Sequence, residues 1–136
     1  MCVVKRLSGR RRALRLVRDG KEILILDAHS APTFRAAGDV LFFVQPRSVS
    51  AGEIRAYSLL DGRTLWKTRL KEVEGPMSDK FNSIYPTRVT LDLSPNTVIV
   101  MGSDICGDYT EIFHRTTGWR LAHRIYGAPR LEWKIE

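Results

Sequence analysis

The chain holds 136 residues, the size of one domain, and 43% of them are apolar, enough for a core of its own. Its 22 Lys and Arg against 15 Asp and Glu leave a formal net charge of +7, which attracts acidic partners at long range and leaves nucleic acid, an anionic membrane surface and an acidic protein patch open as partner classes. Two cysteines, Cys2 and Cys106, are too few for a disulfide framework or, without clustered histidines, for a zinc site.

The opening Met-Cys-Val-Val-Lys-Arg-Leu-Ser-Gly-Arg-Arg-Arg puts charges where a signal peptide needs its apolar stretch. Cys2 occupies the place where myristoylation needs glycine. No run in the chain approaches the ~18 apolar residues of a membrane span, so the sequence is read as cytoplasmic or nuclear with no membrane partner. Lys5, Arg6, Arg10, Arg11, Arg12, Arg15 and Arg18 form the densest basic run. Of these, Arg10, Arg11, Arg12 and Arg15 are the candidate anion-binding residues, each phosphate contact adding salt-dependent affinity. The competing role is a solvated strand edge whose charges prevent sheet-to-sheet pairing. No aromatic residues interleave with the run in the way that base stacking uses.

Short runs rich in β-branched and aromatic residues then follow one another, separated by Gly, Pro, Asp, Asn or Ser. They are Val3–Val4, Ala13–Leu16, Ile23–Leu26, Val40–Val44, Ile54–Tyr57, Leu65–Leu70, Val89–Leu93, Val98–Met101, Tyr109–His114 and Leu121–Tyr126. No window sustains a helical apolar period. Val89, Leu91 and Leu93 alternate with polar neighbours, as in a half-buried strand. Leu41-Phe-Phe-Val44 and Val98-Ile-Val-Met101 are apolar on both faces, which predicts strands buried between packed layers. Asp19-Gly20, Asp61-Gly62 and Thr117-Gly118 each separate two strand runs, and Asp-Gly is a strong hairpin signal because a type I′ turn needs positive φ at both central residues.

These turns belong to a repeated strand–turn–strand unit, clear at 52–67 and 107–123 and fainter at 12–26. The matching glycines are 42 and then 56 residues apart, and the longer interval holds a polar, Gly- and Pro-punctuated stretch at 71–86 that reads as an inserted loop. Removing roughly fourteen residues leaves a period of about 42, inside the ~40–45 of propeller blades.

The segment from Arg88 to Ile125 resembles one blade of a WD40-like or quinoprotein-like β-propeller: an inner strand ending in Ser94-Pro-Asn96, an apolar strand, a third strand ending at Thr117-Gly118, and an outer strand. Thr33 to Leu70 resembles a second blade, with Leu65-Trp-Lys67 similar to the Leu-Trp-Lys after the turn of quinoprotein-type repeats. The hairpin style is also similar to that of F-box-type propeller adaptors, although F-box helices are absent from the sequence. The Trp-Asp pair that ends the third strand in WD40 blades is replaced by Ser58 and Arg115. The resemblance implies an all-β chain of antiparallel propeller-like blades, a partial or oligomer-completed β-propeller, with a closed β-sandwich or barrel as the alternative. It divides the single domain 1–136 into a half blade 1–30, a blade 31–70, the loop 71–86, a blade 87–127 and a tail 128–136.

The remaining chemistry is sparse. Asp104-Ile-Cys-Gly-Asp108 suits a turn better than a Ca²⁺ loop, which needs more oxygen ligands in register. His29, His114 and His123 lie in separate segments with no nucleophile or metal motif joining them. Cys106 sits beside carboxylates that raise a thiol's pKa. No catalytic residue, metal site or cofactor is therefore expected. Trp66 is expected in packing between layers, whereas Phe81 and Tyr85 of the loop, with Trp119 and Trp133, are the candidate partner-binding residues, because an exposed aromatic is a common interface anchor. The expected function is a protein–protein interaction scaffold that is not an enzyme, completed by self-association or by missing blades. A nucleic-acid-binding module using the basic N-terminal segment is the alternative.

Overall fold

The computed structural model describes residues 2–7, 12–28, 33–45, 53–71, 88–104, 107–124 and 134–135. Among these residues the protein is all-β: twelve strands form three antiparallel sheets, and none closes into a barrel. The first sheet is β1 (Cys2–Leu7), β2 (Arg12–Arg18) and β3 (Lys21–Ala28). The second is β4 (Thr33–Ala37), β5 (Val40–Gln45), β6 (Glu53–Ser58) and β7 (Thr64–Arg69). The third is β8 (Arg88–Leu93), β9 (Thr97–Asp104), β10 (Gly107–His114), β11 (Arg120–Arg124) and the short β12 (Lys134–Ile135). Within every sheet each strand pairs with its neighbours in sequence, so all three are meanders.

The double-sided apolar run of β5 explains how the sheets assemble. Phe42 and Val44 enter a buried cluster with Leu91, Val98, Val100 and Phe113 of the third sheet. Leu41 and Phe43 point the other way, into a cluster with Leu16 of β2 and Tyr57 of β6. The second sheet is thus the middle layer of three. Each of these fully buried side chains contributes about 1.5–3 kcal/mol relative to exposure. β9 behaves differently from its sequence reading: Val98 and Val100 are buried against the second sheet, while Ile99 is only half-buried and Met101 is 36% exposed. Their face of the third sheet has no further described layer to cover it.

The repeat seen in the sequence is a repeat of hydrogen-bond register. In the second sheet Ala56 pairs with Trp66, a bulge follows, and Tyr57 pairs with Thr64. In the third, Ile112 pairs with Ala122, the bulge follows, and Phe113 pairs with Arg120. The connections match as well. Ser58 N–H donates to Arg63 O at 2.8 Å and His114 N–H to Trp119 O at 2.7 Å. Gly62 and Gly118 N–H donate back to Ser58 O and His114 O, both at 2.8 Å, and both glycines are left-handed at φ +77° and +76°. The first sheet keeps the bulge, with Leu16 opposite Leu24 and then Val17 opposite Glu22.

Its turn, however, is two residues shorter. Asp19 at φ +51° and Gly20 at φ +76° form the two-residue hairpin that Asp-Gly predicts. Asp61 does not share that role, because in the longer connection only the glycine is left-handed and the Asp61 carboxylate instead accepts the Arg63 N–H at 3.0 Å. That hydrogen bond, with a smaller contribution from the Ser58 hydroxyl, holds the Asp61 carboxyl below its ordinary pKa.

Candidate partner-binding surface

The turns 38–39, 59–63, 94–96 and 115–119 lie at one end of the second and third sheets, because both meanders enter and leave their strands in the same sense. Between the two sheets at this end is a cleft of 310 Å³ lined by Val40, Phe42, Leu65, Trp66, Pro95, Arg115 and Thr116.

Trp66 stands on β7 with its face toward the third sheet. Its Nε1–H donates to Arg115 O at 3.0 Å, and the carbonyl of Gly118 accepts the Thr68 hydroxyl at 2.6 Å. Gly118 fits there because it has no side chain: a Cβ would stand 2.9 Å from Trp66 Cγ and closer still to the ring carbons beyond it. Phe42 meets Trp66 with ring centroids 6.1 Å apart, tilted by 48°. Arg115 lays its guanidinium carbon 5.6 Å from the Phe42 centroid and donates from Nη1 to Ser94 O at 2.9 Å. The cleft therefore has an aromatic floor and a cationic wall whose position is fixed by backbone carbonyls.

Large apolar side chains stand exposed at this end of the two sheets. Trp119 is 72% exposed, Leu60 55% and Leu65 42%. Leu60 and Trp119 lie on equivalent connections of the second and third sheets, and Leu65 lies on the first turnward residues of β7. The same connections are stiffened from within. Ser58 Oγ accepts the Leu60 N–H at 3.1 Å, and at the matching place His114 Nδ1 accepts the N–H groups of Thr116 and Thr117, each at 3.3 Å. His114 is therefore a turn cap, consistent with a structural histidine.

Of the candidate partner-binding residues, Trp119 is on this surface, and Phe81, Tyr85 and Trp133 lie outside the described residues, as does all of the 71–86 loop beyond Lys71. Among the candidate anion-binding residues, Arg10 and Arg11 also lie outside them, Arg12 is the first residue of β2, and Arg15 Nε is 2.6 Å from Glu22 Oε2. His29 and Cys106 are outside the described residues as well, while Asp104 ends β9 and Asp108 is exposed on β10. Among the described residues no group of three or more His, Cys, Asp or Glu is gathered for a metal, and no helix is long and apolar enough to cross a membrane.

Sequence reasoning did not reach Leu60, Leu65 or Arg115. The signal for Leu60 is the pair Leu59-Leu60 beside Asp61-Gly62: a turn buries one leucine, Leu59 at 7% exposure, and has to release the next. No protein-family model and no curated protein sequence matches the chain.

Proposed function

We propose that the three sheets are successive blades of a propeller-like repeat and that the chain is a protein–protein interaction scaffold without chemistry of its own, binding through the turn end of the second and third sheets. The observation that carries this reading is that Leu60, Leu65 and Trp119, all well exposed, lie at the turn end of the second and third sheets, where Leu65 also lines an aromatic-floored cleft. Isolated exposed leucines are ordinary, but several large apolar groups on stiffened turns of a rigid frame favour a docking surface. Tryptophan is among the residues that most often carry binding energy. Arg115 in the cleft wall adds a preference for a partner with acidic groups beside its apolar ones. The ion pair of Arg15 with Glu22 supports the scaffold over phosphate binding by this part of the basic run.

The experiment compares proteins captured from cell extract by the immobilised chain and by Trp119→Ser, whose melting temperature should stay at the parent value because the side chain is 72% exposed. A partner held by the parent through a wash at about 0.5 M salt and reduced at least tenfold by Trp119→Ser is the expected result. Identical capture by the two chains, or partners released by nuclease or by the salt wash, would overturn the reading.

A further inference from the structure

The two seams of the molecule follow one rule, and among the described residues both surfaces that the rule needs are left open at the ends of the stack. At the seam between the second and third sheets, Phe42, Val44, Ala56 and Trp66 form the seat. Phe42 and Val44 pair with Ala56 and Ile54, and Ala56 pairs with Trp66. The same register in the third sheet joins Ile99 to Ile112, Met101 to Thr110, and Ile112 to Ala122. Ile99, Met101, Ile112 and Ala122 are therefore the third sheet's version of that seat. Phe42, Val44 and Ala56 are 0% exposed under their neighbour, whereas Met101 is 36% exposed and the other three are only half-buried.

The surface that sits on a seat is equally recognisable. In the third sheet it carries Phe113, the turn glycine Gly118, and the Glu111–Arg120 ion pair, 2.9 Å apart, with side chains 0% and 13% exposed. The residues at the corresponding places around the bulge of the first sheet are Val17, Gly20, Arg15 and Glu22. Arg15 and Glu22 form the same cross-strand pair with the charges exchanged, at 2.6 Å, but are 39% and 40% exposed. Gly118 is pressed against Trp66 and Gly62 against the Ile23 carbonyl and Leu24, while a Cβ on Gly20 meets nothing within 4 Å. Among the described residues the first sheet is a seating surface without a seat, and the third sheet is a seat without an occupant.

The geometry points to a second copy of this chain as the occupant of both, the first sheet of each copy seated on the third sheet of the other. This rests on reading the three sheets as successive copies of one unit. Identical copies satisfy each other because the two open surfaces are complementary kinds at opposite ends of one stack, so the contact is head-to-tail. Two copies of a three-sheet stack close a ring of six sheets, within the ~4–8 of propeller rings, and leave neither surface exposed.

Sedimentation of the full chain at low micromolar concentration should give a dimer. Val17→Arg and Ile112→Arg, placed on the two open surfaces, should each give a monomer with the parent's β-sheet circular dichroism. Mixed together they should recover a dimer, since Val17→Arg keeps an intact third sheet and Ile112→Arg an intact first sheet, which leaves one seam whole. A monomeric parent, a dimer that survives either substitution, a mixture that stays monomeric, or an open-ended polymer would overturn the proposal. A monomeric parent in which Gly118→Ala still lowers stability more than Gly20→Ala would refute the ring alone and leave the repeated unit standing. In a monomeric parent, equal effects of the two substitutions would refute the repeated unit as well. Partner capture through Trp119 is read separately from either.

Discussion

Glu111 is the sharpest test of how the second and third sheets are held together. Its side chain is fully buried, and one oxygen accepts both Arg120 Nε–H at 2.9 Å and the backbone N–H of Lys71 at 2.8 Å. Arg120 also donates to Arg69 O and lies with its guanidinium carbon 5.5 Å from the Phe113 ring centroid. Glu111→Leu keeps much of the volume but takes away the carboxylate to which both donors point. Removing one member of a buried ion pair costs about 3–5 kcal/mol. The Arg69 carbonyl and the Phe113 ring retain part of the cation's environment, which places the expected loss near the lower figure, about 3 kcal/mol. Arg120→Leu should cost a similar amount, and the double variant should lose clearly less than the two singles together, with a coupling of about 1–3 kcal/mol, because no lone charge then remains buried. Urea unfolding followed by tryptophan fluorescence reads this as a lowered midpoint at an unchanged m-value. A loss below about 1 kcal/mol for Glu111→Leu, or additive single variants, would refute the claim that this pair joins the sheets.

The turn glycines should respond in rank order. Within one copy Gly20→Ala incurs only the cost of positive φ, about 1–2 kcal/mol, whereas Gly118→Ala adds overlap with the Trp66 ring and should cost about 1–3 kcal/mol more; thermal melts at a concentration where the chain is monomeric compare them directly. Asp61 sets an acid limb. Its folded pKa is lowered from 3.8 by the Arg63 N–H, so its contribution is complete above 3.8 and is lost as pH falls through the lower folded value. The melting-temperature gap between the parent and Asp61→Asn should therefore shrink between about pH 6 and about pH 2.5, and a gap that widens on acidification would contradict the assignment.

Much of this architecture was legible in local patterns. The strand runs, the left-handed glycines at 62 and 118, and the two-sided burial of β5 follow from period-2 alternation, turn chemistry and apolar content. β4 was not legible, because Thr-Phe-Arg-Ala-Ala has a single large apolar residue; its Arg35 and Ala36 are exposed, and it is held by Thr33 Oγ1 donating to Val89 O at 2.8 Å and Arg35 Nη1 to Leu91 O at 3.1 Å. β9 shows why a similar apolar run can mislead. Whether its second face is buried depends on whether another layer lies beyond it, which no local window contains. The candidate surface was half legible: tryptophan at 119 drew notice by type, but Arg115 and the exposed leucines acquire meaning only when two turns far apart in sequence meet. Glu111 carried a readable signal. It alternates inward between Tyr109 and Phe113, and a charge at an inward position calls for a partner, which Arg120 supplies across the hairpin.

The ion pairs of the three sheets show what the repeat holds constant and what it leaves free. The positions flanking the bulge carry Arg15 and Glu22, then Arg55 and Thr64, then Glu111 and Arg120. In the middle sheet Thr64 offers no carboxylate, and Arg55 turns along its own strand to the Tyr57 hydroxyl at 3.2 Å, which chiefly keeps its guanidinium more firmly protonated than usual, and to Glu53 at 2.8 Å, which adds a smaller contribution in the same direction. Polarity and partner both change while the bulge and the register stay fixed, so the backbone, not the side-chain chemistry, defines the unit. Burial then decides what each pair requires. The half-exposed Arg15–Glu22 and Arg55–Glu53 pairs keep water on part of each charge and are worth little in themselves. The fully buried Glu111 and the largely buried Arg120 carry added hydrogen bonds to the Lys71 N–H and the Arg69 carbonyl, because desolvating two charges exceeds what their mutual attraction returns unless the remaining polar atoms are also matched. A surface that covers the first sheet must meet the same demand and bring backbone donors and acceptors to Arg15 and Glu22. The end of an outer strand supplies such groups in the existing seam, where Arg69 and Lys71 leave β7.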